Sequence, residues 1–269
     1  MSAPRTSQAL QACAAIRAPG RHEDTGRAPG EHGLPSDREL DVAVRALKLW
    51  RGGNGAVTVV AIDGYGASGK STIAERLCSR TGASVLRTDD FFLPSARQFK
   101  VSEPGEQGRA TAQSVARTGR RIASFYDLRR LRAEALEPLR EGHEAVFCSF
   151  DWDSGVVSGE KTRVGPNNLV LLEGVCSGAT ELSDLVDRAI YVDTPELERL
   201  RRLRDRIAPE DWDEEWLRAE KRYFSGARPL ESFDLVIRGT GEAAQVPPGV
   251  RAPGEGRRAH TSDDEAHSE

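Results

Sequence analysis

The sequence predicts an α/β fold, in which a doubly wound, mainly parallel sheet of five strands carries helices on both faces and a small helical lid. Short apolar runs rich in β-branched residues alternate with longer segments of helical periodicity, as in strand–helix–strand units. The run at residues 57–62 suits a strand buried on both faces, and it leads into a glycine-rich loop and a helix. Acidic residues follow two other runs, so we expect polar side chains to gather where parallel strands end.

The folded domain is predicted at residues 36–238, between two tails that are predicted to be disordered. Residues 1–35 are rich in Ala, Arg, Gly and Pro, and residues 239–269 are rich in Gly, Pro and charge, so neither segment can supply a hydrophobic core. Residues 95–124 are polar and glycine-rich without a clear period. A loop of that length inside a compact domain is usually functional or mobile.

Composition and charge exclude several classes of protein. The 269-residue chain has a formal net charge of −4, which gives no broad basic surface for nucleic acid. No apolar run approaches the roughly 20 residues that cross a bilayer, and the N-terminus lacks an apolar signal core, so we expect a cytoplasmic protein without membrane contact. The four cysteines are scattered and form no C-x-x-C pair, as expected of reduced thiols. The sequence leaves the oligomeric state open.

The elements of the N-terminal half follow from capping and periodicity. A helix over residues 37–51 begins at the capping residue Ser36 and buries one face, formed by Leu40, Val44 and Leu47. A strand is predicted at residues 84–90, with acidic side chains at its C-terminal end. A helix over residues 126–140 follows the long loop, and Pro138 is expected to strain its last turn.

The C-terminal half repeats the alternation of strand and helix. Apolar runs predict four strands, at residues 145–152, 169–175, 189–193 and 233–237. Thr194 caps and Pro195 starts a charged helix that carries several arginines. A further helix contains Trp212 and Trp216, for which we favour packing over ligand stacking.

The glycine-rich loop reads GYGASGKS and fills every fixed position of the pattern G-x-x-x-x-G-K-[S/T]. Its glycines allow backbone N–H groups to turn toward a polyphosphate, and the following helix aims its N-terminus at the same anion. In this pattern Lys70 reaches the β- and γ-phosphates, and the Ser71 hydroxyl holds Mg²⁺. A tight turn with a surface lysine is the alternative, but it does not account for the flanking strand and helix. We therefore predict a P-loop NTPase that binds ATP and Mg²⁺, with nucleotide contacts from Gly64, Gly66, Ala67, Ser68, Gly69, Lys70, Ser71 and Thr72.

Five further stretches occur in order with this loop. They are TDDFFLP at residues 88–94, YDLRRL at 126–131, FDW at 150–152, LLEGV at 171–175, and Arg201-x-x-Arg204-Asp205. Together they resemble the uridine kinase-like group of P-loop kinases, which also includes phosphoribulokinase and relatives of bacterial pantothenate kinase. The resemblance covers about residues 38–238 and implies transfer of a phosphoryl group from ATP to a hydroxyl.

The resemblance implies roles for three acidic residues. Asp89 matches the position of the general base, which accepts the proton of the acceptor hydroxyl, and Asp90 would contact the acceptor. Either carboxylate could instead cap the next segment. Glu173 matches the family residue that helps to hold Mg²⁺, and its alternative role is a helix cap.

The resemblance also implies roles for two arginines and an acidic–aromatic pair. Arg201 and Arg204 are spaced to lie on one helical face, where they could bind phosphoryl oxygens as charge develops, with Arg204 the catalytic one. Arginine-rich helices are also commonly just solvated. Asp151 and Trp152 stand near the acceptor in the family, although a buried Trp beside a strand-end Asp is equally expected.

The functional hypothesis is an ATP-dependent kinase for a small metabolite, with nucleosides among the candidates. Phe92 stands where uridine kinases carry Tyr, and residues 207–215 are acidic where their lid is basic. The alternative is a regulatory nucleotide-binding switch without a small-molecule acceptor. Against it, the chain has no N-K-x-D motif, and Glu173 replaces the usual Asp. A nucleic-acid-binding ATPase is disfavoured by the negative net charge.

Overall fold

A five-stranded parallel sheet forms the centre of the computed structural model, which describes residues 35–53, 55–94, 121–206 and 214–240. In chain order, its strands are β1 (Thr58–Asp63), β2 (Ser84–Arg87), β5 (Leu169–Glu173), β6 (Arg188–Asp193) and β7 (Leu235–Arg238). Their order across the sheet is β2–β5–β1–β6–β7, and every neighbouring pair is parallel. The predicted fold class is therefore confirmed, with β1 at the centre of the sheet.

Helices cover both faces of the sheet. On one face lie α1 (Asp37–Trp50), capped by Ser36 as predicted, and α2 (Lys70–Thr81), whose apolar side chains share one core with β1 and β5. On the other face lies α3, which comprises Leu128–Arg130, a π-helical segment at Leu131–Leu136, and Glu137–Arg140. Pro138 lies in the last segment, directly after the π-helical segment, and the strain expected there stays a prediction.

The strand predicted at residues 145–152 forms, but it lies outside the parallel sheet. It is β3 (Ala145–Asp151), and it pairs in antiparallel fashion with β4 (Val156–Val164) as a separate hairpin. Strand β4 had not been predicted, because its sequence VVSGEKTRV is polar and half-buried at best along its length. It therefore lacks the apolar alternation that marks a strand with a buried face.

Two helices follow the sheet strand β6. They are α4 (Glu196–Arg204) and α5 (Glu214–Arg222), the second continuing into the π-helical turn Tyr223–Ala227. The predicted tails lie mostly outside the described residues, as do residues 95–120 of the predicted long loop, whose end forms the 3₁₀ turn Ile122–Phe125. The acidic segment with Trp212 also lies mainly outside them.

Residues next to both predicted domain boundaries contact the folded core. Arg76 donates a 2.9 Å hydrogen bond to the Pro35 carbonyl oxygen, and the Gly239 amide donates a 2.7 Å bond to Asp193. Thr240 is buried as well. Among the described residues, no helix is both long enough and apolar enough to span a membrane.

Candidate active site

The phosphate-binding loop, residues 64–71, joins the end of β1 to the start of α2. Gly64 has a φ of +147°, and a Cβ there would lie 2.8 Å from the Val192 carbonyl oxygen of β6, so the position favours glycine. Thr194 donates a 2.8 Å hydrogen bond to the Ser68 carbonyl oxygen. Strand β6 and its end therefore support both halves of the loop, and the loop leads directly into the N-terminus of α2.

Lys70 is buried against this loop. Its Nζ donates hydrogen bonds of 2.9 Å to the Gly64 carbonyl oxygen and 2.8 Å to that of Tyr65. An ammonium group has three donors, so these two carbonyl oxygens satisfy most of them. The positive charge is thus held beside the loop, where an entering phosphate can attract it.

The predicted acidic residues meet the loop at the carboxyl edge of the sheet. Strands β2 and β5 are neighbours, and Arg87 at the end of β2 is in register with Glu173 at the end of β5. The 3₁₀ turn Thr88–Phe91 follows β2 and carries Asp89 and Asp90. Because parallel strands end at a common edge, the order β2–β5–β1 brings both acidic segments beside the loop after β1.

Glu173 is the most deeply buried of these carboxyl groups. It accepts a hydrogen bond from the Ser71 hydroxyl, and its Oε1 lies 3.4 Å from Arg87 Nε. Burial raises the pKa of Glu173 to about 7, and the nearby charge of Asp89 adds to this rise. Lys70 and Arg87 oppose the rise but do not cancel it.

The two carboxyl groups after β2 share this electrostatic environment. Asp89 is open to solvent on one side, yet desolvation by the surrounding protein raises its pKa, against the charge of Lys70. Desolvation raises the pKa of Asp90 to about 6, against Arg87 and a hydrogen bond with Ser149. Asp89, Asp90 and Glu173 thus interact with few nearby cations, so the binding of a further positive ion at this site is electrostatically favourable.

The chemistry of these side chains fits Mg²⁺. Ser71 and Glu173 are in contact and offer a hydroxyl and a carboxylate oxygen, the hard ligands that this ion prefers. Within the described part of the chain, no three His, Cys, Asp or Glu side chains cluster as a metal site. Mg²⁺ usually takes one or two carboxylates together with substrate phosphates and water.

The raised pKa of Glu173 predicts a pH-dependent stability. The folded protein holds this proton more tightly than the unfolded chain, whose ordinary pKa is 4.5, so stability is expected to fall as pH rises from about 4.5 to about 7. Glu173→Gln removes the free-energy cost of ionising this buried carboxyl group. At pH 8, without nucleotide or metal, the variant should therefore be more stable by about 2 kcal/mol. Urea unfolding at pH 5.5 and pH 8 measures this. Glu160→Gln, on the exposed face of β4, is the control, and an equal gain at both pH values would contradict the assignment.

An aromatic cluster lies beside Asp89. Tyr126 approaches Asp89, with its hydroxyl 3.5 Å from Oδ1. The Phe92 ring lies 4.8 Å from that of Trp152 and 6.1 Å from that of Trp216, measured between centroids. We call this set the aromatic cluster; it consists of Phe92, Phe125, Tyr126, Phe150, Trp152 and Trp216.

Asp151 and Trp152, both in the hairpin, make different kinds of contact. The Asp151 carboxylate accepts hydrogen bonds of 2.9 Å from the Asp153 amide and 2.8 Å from the Ser154 hydroxyl, which shape the turn between β3 and β4. Trp152 belongs to the aromatic cluster while 40% of its surface stays exposed. The hairpin therefore carries an accessible aromatic face toward the Asp89 side of the site.

The two arginines predicted on α4 lie on its exposed side. Arg201 forms ion pairs with Glu198 at 2.8 Å and with Asp205 at 3.2 Å. Arg204 is exposed as well. Their contact with phosphoryl oxygens remains a prediction, since neither side chain contacts the loop through an interaction seen among the described residues.

Two other arginines of α4 reach the loop. The Arg199 guanidinium carbon lies 4.3 Å above the Tyr65 ring, and Arg202 donates to the carbonyl oxygens of Ala67, at 3.4 Å, and Gly239, at 3.1 Å. Sequence analysis did not single them out. In the run ERLRRLR, arginines occur on several helical faces, so spacing alone does not identify the face that contacts the loop.

Asp63, which directly precedes the loop, was also missed. Its Oδ1 accepts from the amides of Gly64 and Cys176, and its Oδ2 from the Gly178 amide and the Tyr223 hydroxyl, at 2.8–3.1 Å. One buried carboxylate thereby joins the loop, the segment after β5 and the turn after α5. An acidic residue at the end of an apolar strand was the available signal.

Comparisons with known proteins identify relatives of this chain. A uridine kinase of Staphylococcus haemolyticus (strain JCSC1435) is 29% identical over 150 residues, which cover 54% of this chain and 67% of the relative. A uridine kinase of Haemophilus influenzae (strain PittGG) is 25% identical over 154 residues, 53% of this chain and 64% of the relative. The chain thus spans about two thirds of the length of these relatives.

A solved structure and a family model extend the comparison. The structure of a possible uridine kinase from Bacillus stearothermophilus is similar in fold, with a TM-score of 0.53 and 19% identity, over 75% of this chain and 98% of that one. The model of the Phosphoribulokinase / Uridine kinase family matches residues 59–208, more than half of the chain, which include the loop and both acidic segments. The chain belongs to the phosphoribulokinase/uridine kinase family.

Proposed function

We propose that this protein is an ATP-dependent phosphotransferase that moves the γ-phosphoryl group to a hydroxyl of a small metabolite. The observation that carries the proposal is the meeting of the phosphate loop with Asp89 and Glu173 at one edge of the sheet. Phosphoryl transfer needs positioning and charge stabilisation more than covalent chemistry. The phosphate-binding loop, the Lys70 cation and the carboxyl groups of Asp89 and Glu173 would supply this positioning and charge stabilisation.

The loop residues would hold the nucleotide. Backbone N–H groups of residues 66–72 would bind the phosphates, because the Gly64 amide already donates to Asp63. Lys70 would exchange its carbonyl partners for phosphate oxygens. Ser71 and Glu173 would hold Mg²⁺, which when bound neutralises developing phosphate charge. The proposed contacts of Arg201 and Arg204 would add positive charge at the transferred group.

Asp89 would act on the acceptor. A hydroxyl within hydrogen-bond reach of its carboxylate would be oriented and would lose its proton as the new bond forms. A raised pKa makes a carboxylate a stronger base, and desolvation raises the pKa of Asp89 in this site. Asp90, Asp151 and Trp152 complete the proposed acceptor side.

The aromatic cluster favours an acceptor with a planar or apolar part. Trp152 and Phe92 offer ring faces close to Asp89, and such faces stack on planar ligands. The two relatives are uridine kinases, so nucleosides are the first acceptors to test. A regulatory switch is not favoured, because the family is one of kinases and a switch needs neither a base nor an acceptor side.

The test is ATP consumption over a panel of acceptors. Nucleosides, pantothenate-like alcohols and sugar-like alcohols are each added to the full-length protein with ATP and Mg²⁺, and ADP release is followed. We expect little turnover without acceptor and a large increase with one class. Slow hydrolysis that no acceptor accelerates would support the switch and would overturn the proposal.

A further inference from the structure

Glu220 brings a buried carboxylate to the phosphate loop. It lies on α5 with 1% of its surface exposed, and its Oε1 accepts a 2.8 Å hydrogen bond from the Gly66 amide. The Trp216 side chain, one helical turn earlier, also hydrogen-bonds to this carboxylate. Lys70 and Arg199 favour its charged form, although burial raises its pKa. An acidic side chain therefore accepts a hydrogen bond from one of the N–H groups with which this loop is expected to bind anions.

This contact is held in place by the rest of α5 and its following turn. The Tyr223 hydroxyl donates a 2.8 Å hydrogen bond to Asp63, directly before the loop. The Phe224 ring lies 4.5 Å from the Tyr65 ring, inside the loop. These contacts place Glu220 beside the loop.

A polyphosphate and the Glu220 carboxylate would interact with the same groups of the loop. Both are anions, both attract Lys70, and the Gly66 N–H is one of the donors expected to face the nucleotide. Two negative groups at one amide repel each other, and a single N–H serves only one of them well. The loop therefore binds phosphate fully only after the carboxylate has left Gly66.

We infer that Glu220 is a positioning residue that acts as an internal anion, accepting the Gly66 amide hydrogen bond and yielding it to a polyphosphate. The inference rests on the proposed function only in that a nucleotide binds at this loop. The consequence is a nucleotide affinity below that of the loop alone, since binding first breaks a charged hydrogen bond. Product nucleotide is released faster for the same reason.

Glu220→Gln tests the inference, because glutamine keeps the shape and the acceptor oxygen but removes the charge. We expect ATP–Mg²⁺ and inorganic tripolyphosphate to bind about tenfold more tightly, the scale of one charged hydrogen bond. Adenosine, which has no phosphate, should bind with unchanged affinity. Calorimetry measures all three ligands. Glu214→Gln, on the exposed start of the same helix, is the matched control and should change none of them.

An unchanged or weaker affinity for tripolyphosphate in Glu220→Gln overturns the inference. If this variant does not fold, Trp216→Phe takes its place, because it removes the hydrogen bond to the carboxylate and keeps an aromatic ring. A smaller gain in tripolyphosphate affinity is expected for this variant. No gain in affinity overturns the inference. Absence of ATP binding in the unaltered protein would overturn the proposed function as well. Equal ATP binding in all variants overturns this inference alone.

Discussion

Replacing Lys70 by alanine is expected to abolish phosphoryl transfer. The lysine is the buried cation of the loop, held by the carbonyl oxygens of Gly64 and Tyr65. A preorganised cation of this kind is worth about 3–4 kcal/mol in the transition state, roughly a hundredfold or more in rate. Acceptor-dependent ATP turnover measures the loss.

A matched variant separates this effect from a general loss of lysine charge. Lys48→Ala removes an exposed lysine from the last turn of α1, which has no place in the proposed site, and should leave turnover unchanged. Thermal unfolding of Lys70→Ala should show a folded protein, because the freed carbonyl oxygens can be hydrated. Near-normal turnover in Lys70→Ala would mean that this loop is not the catalytic phosphate site.

Asp89→Asn is expected to separate nucleotide binding from chemistry. Asparagine nearly keeps the shape of the carboxylate but accepts no proton, so transfer should fall by roughly 10²–10⁴-fold. The change also removes a negative charge that interacts with Lys70, so ATP–Mg²⁺ affinity should be kept or slightly raised. In the unaltered protein, turnover should rise with pH as Asp89 loses its proton. Calorimetry and acceptor-dependent turnover are measured side by side.

Asp90→Asn is the neighbouring control, and a smaller effect is expected. Arg87 interacts with both carboxyl groups, but Lys70 and Tyr126 interact with Asp89, whereas Ser149 hydrogen-bonds to Asp90. If Asp90→Asn proves to be the inactive variant, the base is the next residue along this turn. Loss of ATP–Mg²⁺ binding in Asp89→Asn would instead identify Asp89 as a metal ligand.

Local patterns predicted the parts of this molecule that depend on short stretches of chain. The strand–loop–helix unit around Lys70 could be recognised because glycine spacing, β-branched residues and helical periodicity all agree there. The convergence of Asp89 and Glu173 also followed, since acids at the ends of parallel strands meet at one edge. The fold class was correct for the same reason.

Contacts between distant elements were not predictable from those patterns. Hairpin β3–β4 was missed because β4 buries no continuous face and so has no apolar alternation. Glu220 contacts Gly66 across 154 positions of sequence, and nothing in the charged segment EEWLRAEKR distinguishes it from solvated glutamates. Arg199 and Arg202 were missed because the rotation of α4 about its axis is set by packing.

The order of the strands also has a consequence for synthesis on the ribosome. Strand β1 lies between β5 and β6, which follow it by about 110 and 130 residues, so at roughly 5–20 residues per second it waits about 5–20 s for its first neighbour. During that interval a strand that is fully buried in the finished molecule has two unpaired edges. Nascent chains that stop before β5 are therefore expected to bind chaperones and to aggregate. The nucleotide site, which needs β1, β5 and β6 together, is completed only when most of the chain has emerged.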